Sequence, residues 1–249
     1  DVYHGAPTSV AAFIGTAPKI AAVMFAFRIL LTGFGEVHQY WAPMFAVLAV
    51  ASLVVGNLAA IMQTNIKRML AYSTVSHMGF VLMAFLSGSV GFSAGLYYAL
   101  TYIVMALVGF GVLMLLSDES FECENIADLA GLNRRNAWYA FLMLLAMFSM
   151  AGIPPLMGFY AKLQVIKLLV SANYTWLAVF AVVMSLIGAF YYLRVVRTIY
   201  FEEPADSRRL SSDGAMKVLL SANGLLLLLW GVLPQGVMDW CVEAIRTTI

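Results

Sequence analysis

The stretch Ala151-Gly152-Ile153-Pro154-Pro155-Leu156-Met157-Gly158-Phe159-Tyr160-Ala161-Lys162 lies inside a long apolar run and decides how the chain is built. No formal charge occurs from Asn136 to Ala161, and then Lys162 appears. Proline lacks the N–H of a helical turn and clashes with the turn before it, so paired prolines flanked by glycines interrupt the helix. In lipid, backbone without internal hydrogen bonds survives only where protein covers it or a wet cavity runs beside it. A lysine placed there is a candidate ion-handling residue.

The composition agrees with a bilayer as solvent. Hydrophobic residues make up 63% of the 249 and charged residues 11%, against about 45–50% and 25% in soluble domains. The expectation is an all-α integral membrane protein forming one transmembrane domain over residues 1–249. A net charge of +1 gives no case for nucleic acid as a partner. Cys123 and Cys241 are too few for a disulfide scaffold or a cysteine metal site. The start at Asp1, with neither methionine nor a signal-like segment, suggests a fragment.

Windows of about 20 apolar residues, the length that crosses a bilayer core, number about seven. They cover about 8–31, 44–63, 71–86, 91–116, 137–170, 174–200 and 216–233, the fifth broken at Pro154-Pro155. The uncharged run from Met69 to Ser117 is too long for one crossing and divides near Ser87-Gly88-Ser89. The tail 234–249 alternates polar and apolar residues and reads as interfacial. The longest loop, 118–136, begins acidic (Asp118, Glu119, Glu122, Glu124) and ends basic, and 202–213 is a second hydrophilic loop. Lys67, Arg68, Arg134, Arg135, Arg208, Arg209 and Lys217 fall on one side, with Arg28, Lys167 and Arg246 on the other. By the positive-inside rule, Asp1 is cytoplasmic and Ile249 lies on the opposite, periplasmic side, which separates Cys123 from Cys241.

Three residues are candidates for proton handling. Lys19 follows Pro18 about eleven residues into the first span, near mid-bilayer at 1.5 Å rise per residue. Inserting such a lysine costs about 2.5–3.5 kcal/mol on translocon scales. The bland alternative is a lysine that snorkels or pairs with an acid, but no acid lies within the core spans. Lys162 has the same logic, with freed carbonyls and half-helix ends beside it. His77 exchanges protons near neutral pH and can relay either way, with Ser73 one turn earlier on the same face. A histidine bonded to a nearby backbone group is the plainer reading. Lys67 and Arg68 read as cytoplasmic anchors, and Tyr192, Arg194 and Arg197 as an interfacial helix end. Asn57, Gln63, Thr101 and Gln164 either line a polar path or bond helix to helix.

In order along the chain come Asp1-Val2-Tyr3-His4-Gly5-Ala6-Pro7, Lys19, and Gln63-Thr64-Asn65-Ile66-Lys67-Arg68-Met69-Leu70-Ala71-Tyr72-Ser73-Thr74-Val75-Ser76-His77-Met78-Gly79. Asp128-Leu129-Ala130-Gly131-Leu132, Ala151-Gly152-Ile153-Pro154-Pro155 and Gly158-Phe159-Tyr160-Ala161-Lys162 follow. Together these resemble the subunit N family of bacterial respiratory complex I, NADH:quinone oxidoreductase, whose mitochondrial and chloroplast counterpart is subunit 2. The resemblance to subunits L and M and to Mrp-type Na⁺/H⁺ antiporters is weaker.

The resemblance implies the second half of an antiporter-like inverted-repeat fold, its eighth to fourteenth helices. Lys19 would match the lysine bridging two half-channels, Lys162 the lysine of the broken twelfth helix, and His77 the histidine of the connecting polar axis. The family's fifth-helix glutamate and seventh-helix lysine have no counterpart here. The implied function is proton translocation driven by quinone reduction, in a cell inner (plasma) membrane, with other complex I membrane-arm subunits as partners. No cofactor is expected in this chain, because it has no cysteine-cluster or Gly-rich phosphate-loop signature; flavin, iron–sulfur clusters and the quinone site would lie in other subunits. An Mrp-type Na⁺/H⁺ antiporter subunit and a structural membrane-arm subunit are the alternatives.

Overall fold

The computed structural model describes residues 2–117, 121–204 and 214–247. Asp1, Asp118, Glu119, Arg208, Arg209, Asp213 and Ile249, which enter the loop and sidedness expectations, lie outside the described residues. The helices are α1 (Val2–Gly5), α2 (Thr8–Arg28), α3 (His38–Ile61), α4 (Ile66–Phe85), α5 (Ser89–Leu116), α6 (Leu132–Arg135), α7 (Ala137–Ala151), α8 (Met157–Ser171), α9 (Thr175–Phe201), α10 (Gly214–Val232) and α11 (Gln235–Arg246).

Each of the seven expected segments is helical, and the fifth is the pair α7 and α8. Among the described residues, five helical stretches are long and apolar enough to cross a membrane unaided, so this is a multi-pass membrane protein. Several boundaries shift. The second segment begins at His38 rather than 44, with Pro43 inside the helix. The third begins at Ile66 rather than 71. Asn65 Oδ1 accepts the Arg68 N–H, and this cap lets Lys67 and Arg68 sit inside the helix. The first runs on through a π-helical turn, Ile29–Gly33. The division near 87–89 stands, with Gly88 in a left-handed conformation (φ 66°).

The hub of the bundle is α5. Of its apolar window 72% is buried, against 17% for α10, so α5 is the helix the others surround. A helix apolar on every side belongs inside. The pair α3–α4 packs closely through Gly56, where a Cβ would lie 2.6 Å from the Ser76 nitrogen. The buried side chains form two apolar clusters, one including Tyr102 and Tyr192, the other Phe80 and Tyr98. His77 touches the aromatic rings of both clusters.

One end of the bundle is tied together by polar contacts between loops. Thr64 O accepts from Ile126 N and Glu124 O from Ile66 N. Gly131 N donates to Thr198 O, and Arg134 pairs with Glu203. Cys123 follows the C-terminal end of α5, while Cys241 on α11 packs in the cluster of Tyr97, near the N-terminal end of α5. The two thiols are therefore at opposite ends of that helix, and both are buried.

The expectation for Lys67 is corrected. It is not an exposed anchor: its side chain is 0% exposed, and Nζ lies 2.7 Å from Glu124 and 3.2 Å from Glu122. Nζ also donates to Ala6 O at 3.3 Å. The two carboxylates come from the loop after α5, so the partners that draw Lys67 inward are distant in sequence. Tyr192 is likewise not interfacial but buried, at 2% exposure. Arg194 donates to Ile61 O (3.0 Å) and Gln63 O (2.6 Å), satisfying freed carbonyls at the C-terminal end of α3.

Candidate functional site

At the break, the orphan carbonyls of α7 can be followed one by one. A helix leaves its last four carbonyls without intrahelical partners. Here Phe148 O and Ser149 O accept from the backbone N–H groups of Gly152 and Ile153. Met150 O and Ala151 O accept instead from Lys162 Nζ, each at 2.9 Å. The third donor of the ammonium goes to Ser185 Oγ on α9 at 2.7 Å. A cation at a helix C-terminus also meets the negative end of the peptide dipoles. The broken backbone thus forms a three-oxygen cradle for Lys162, which is 7% exposed.

Glycines shape that cradle. Gly152 has φ 88°, and a Cβ there would lie 2.9 Å from Lys162 Cδ. At Gly158 a Cβ would fall 1.9 Å from Ser149 O. Its absence brings the start of α8 against the end of α7, where Ser149 Oγ accepts the Gly158 N–H at 3.0 Å. A cavity of about 330 Å³ opens beside Lys162, with Ser185 at its wall and otherwise apolar lining that includes Phe159 and Leu186.

Lys19 has a different setting. Its Nζ lies 5.0 Å from the centre of the Tyr102 ring and 5.6 Å from that of Tyr3. Ring faces attract the charged ammonium without accepting its proton. Tyr102 in turn hydrogen-bonds Thr74 through its hydroxyl.

His77 stands between the two lysines. Its ring is 5.2 Å from Tyr102, the ring that faces Lys19. On the other side, Tyr98 stacks on Phe80 at 5.4 Å, and Phe80 faces Lys162 Nζ at 5.5 Å. Nδ1 of His77 lies 2.8 Å from the Tyr98 hydroxyl and Nε2 lies 3.0 Å from that of Tyr192. The structure therefore links the three candidates through a series of ring contacts, with aromatic rings between charge positions. It does not bring the lysines into direct contact with His77.

The sequence model of the NADH:quinone oxidoreductase/Mrp antiporter transmembrane family matches residues 1–188. The chain belongs to that family. It is 69% identical over its whole length to NADH-quinone oxidoreductase subunit N of Neisseria gonorrhoeae, covering 52% of that protein. It is 58% identical to the subunit N of Laribacter hongkongensis, again over 100% of this chain and 52% of the relative. The chain thus spans about half the length of the curated relatives it matches. Among solved structures, a chain of respiratory complex I from Thermus thermophilus with bound aureothin superposes at TM-score 0.80 and 32% identity. That match covers 96% of this chain and 52% of the other. A chain of the Mrp complex from Dietzia sp. DQ12-45-1b shares the fold at TM-score 0.88 and 21% identity, over 99% of this chain and 54% of that one.

Within this family member, several partners escaped the reading of the sequence. Tyr98, Tyr192 and Ser185 were not candidates, although Tyr97-Tyr98 falls well inside an uncharged span. Tyrosine in a membrane protein is more usual at the interfaces, so that mid-span pair was a usable signal. Ser73 donates back to Leu70 O at 2.8 Å, the ordinary habit of serine in apolar helices. Of the four polar residues placed between path and glue, Asn57 bonds between helices. It donates to Met184 O (3.1 Å) and accepts from the Tyr191 hydroxyl (3.0 Å). Gln63, just past α3, donates back to Ala59 O of that helix, and Thr101 bonds within its own helix.

Proposed function

We propose that this chain is the second half of a proton-translocating membrane subunit of NADH:quinone oxidoreductase, in which Lys19, His77 and Lys162 carry the proton. The observation that carries this reading is the cradle of Lys162. Its three acceptors orient an ammonium at a broken helix, beside an open cavity and two rings away from His77 through Phe80 and Tyr98. When the ammonium gives up its proton, the amine keeps two N–H donors for the two carbonyls, and its lone pair can face the Ser185 hydroxyl. A lysine so held changes charge without leaving its place. The drive would come from quinone reduction in other subunits, which would also hold the flavin and iron–sulfur clusters.

The partners on this reading are the other membrane-arm subunits, lipid and protons. The chain would lie as one transmembrane domain in the cell inner membrane. Its loop end bearing Lys67 and Arg134 would be cytoplasmic, and α11 would lie at the opposite, periplasmic interface. There Trp240 is exposed, while Val237, Cys241 and Ile245 pack inward. An Mrp-type Na⁺/H⁺ antiporter subunit is the second reading, favoured by the shared fold.

The test uses the full-length protein in its membrane complex, in inverted membrane vesicles. Lys162→Ala and Lys19→Ala should each depress proton uptake driven by NADH while leaving the complex assembled. Uptake at the parent rate in both variants rejects the reading. Na⁺-dependent proton exchange with no need for NADH selects the antiporter.

A further inference from the structure

Both ring nitrogens of His77 are engaged by phenols, and the count of hydrogens constrains how. A neutral imidazole has one N–H and one lone pair, and each phenol has one O–H. With Tyr98 at Nδ1 and Tyr192 at Nε2, one phenol must donate to the ring while the other accepts from it. The trio is therefore polarised. Its three members come from α5, α4 and α9, and Tyr98, His77 and Tyr192 are at most 3% exposed.

We propose that Tyr98 and Tyr192 are proton-carrying residues, and that with His77 they form a hydroxyl–imidazole–hydroxyl wire whose polarity sets the direction of transfer. This deepens the proton-path reading above and rests on it. Starting with Tyr98 donating to Nδ1, a proton arriving on the Tyr98 oxygen allows that phenol's own proton to pass to Nδ1. The Nε2 proton passes to the Tyr192 oxygen, and the proton originally on Tyr192 leaves for the next acceptor. One proton has entered and one has left, and no group keeps a net charge. The trio now has the mirror polarity, with Nδ1–H donating to Tyr98 and Tyr192 donating to Nε2.

In that mirror state the wire carries a proton only in the reverse sense. A second proton in the same direction has to wait until the hydroxyls turn and the imidazole returns to its first tautomer. The trio thus passes one proton per reset. Tyr98 reaches toward Lys162 across the Phe80 ring, and His77 toward Lys19 across Tyr102. The Tyr192 hydroxyl adjoins the side chains of Ser73 and Tyr191.

Phenylalanine keeps each ring and removes only the hydroxyl. In the full-length protein within its membrane complex, Tyr98→Phe and Tyr192→Phe should each lower NADH-driven proton uptake by at least about tenfold, the scale of a lost proton-transfer group. Tyr97→Phe is the matched control. The Tyr97 hydroxyl is buried with no hydrogen-bond partner among the described residues, so its loss should leave uptake unchanged. A second measurement uses 3-fluorotyrosine at 98 or 192, which keeps ring and hydroxyl but makes the phenol more acidic. The wire requires the pumping rate to change several-fold, because proton transfer through a phenol follows its acidity, and a merely structural phenol leaves the rate at the parent value. This arm decides the matter even where a phenylalanine variant fails to assemble. Parent-rate pumping by both phenylalanine variants, or by the fluorotyrosine protein, overturns the wire. If the lysine variants are inactive at the same time, the proposed function stands without it; if they too pump normally, that function itself fails.

Discussion

The Lys162 ammonium lies 2.9 Å from the carbonyl oxygen of Ala151, the last residue of the half-helix on the other side of the break. The contact joins the two halves through a group that can be charged or neutral. It also puts that nitrogen at a fixed point, since Met150 O and Ser185 Oγ hold it from two further directions.

Replacing that lysine by arginine should separate a relay from a strut. A guanidinium stays charged at a pKa above about 12 and cannot release its proton. Lys162→Arg should therefore pump little better than Lys162→Ala, although it restores a cation to the carbonyls. Proton uptake is measured for the two side by side, normalised to assembled complex. Arginine pumping at the parent rate would show that charge alone is needed.

The cradle should also be sensitive to a single methyl group. Gly152→Ala puts a Cβ 2.9 Å from Lys162 Cδ and forces a left-handed residue at φ 88°, which costs about 1–2 kcal/mol for a non-glycine residue. Pumping should fall several-fold with the complex still assembled. An unchanged rate would mean that Lys162 need not occupy this position.

Gly158→Ala is expected to act on stability instead. Its Cβ would fall 1.9 Å from the Ser149 carbonyl oxygen, so α7 and α8 must separate. The thermal midpoint of the complex in detergent should drop by several degrees, and less complex should be recovered from membranes. Recovery equal to the parent would contradict the close approach.

The Lys67 latch gives a readout through Cys123. That thiol is 0% exposed, and burial pushes it up to about 12, so it should react slowly with maleimide in the parent. Lys67→Ala leaves Glu122 and Glu124 without their shared cation and should free the loop, at a cost of about 1–3 kcal/mol given that both carboxylates are partly exposed. Labelling of Cys123 at one fixed pH should rise clearly. No change would mean that the loop is held by its backbone contacts alone.

Acid should weaken the same latch from the carboxylate side. Hydrogen bonds from Thr8, above all from its hydroxyl at 2.5 Å, hold the Glu122 carboxyl below the usual glutamate range, with Lys67 adding to them. A carboxylate whose folded-state value is depressed contributes stability that is present above its unfolded value and lost as pH falls through the folded one. The thermal midpoint of the parent should therefore decline on acidification below the ordinary glutamate range. Glu122→Gln should flatten that part of the profile, and an identical slope in the two proteins would remove Glu122 from the account.

How far the sequence reached can be judged residue by residue. The break at Pro154-Pro155, the division at Gly88 and the lysines at 19 and 162 were legible, because proline, glycine and charge in an apolar run act through local rules. Helix starts were less so. His38 and Ile66 open their helices earlier than hydropathy suggests, and at Ile66 the Asn65 cap rather than apolar length decides where the helix begins. Lys67 and Tyr192 were misplaced because a basic or aromatic residue near a span end looks the same whether it faces headgroups or a distant partner.

The sequence by itself therefore determined the crossing segments, the broken one, and which residues carry titratable groups within lipid. A bilayer forces backbone bonds to be made within each segment, so these features are written in short stretches of chain. Only the tertiary structure decided which groups meet. The bonds from His77 to Tyr192, Lys67 to Glu124 and Lys162 to Ser185 join residues 115, 57 and 23 positions apart. Such pairings are set by how whole helices pack against α5, and no local spacing encodes them.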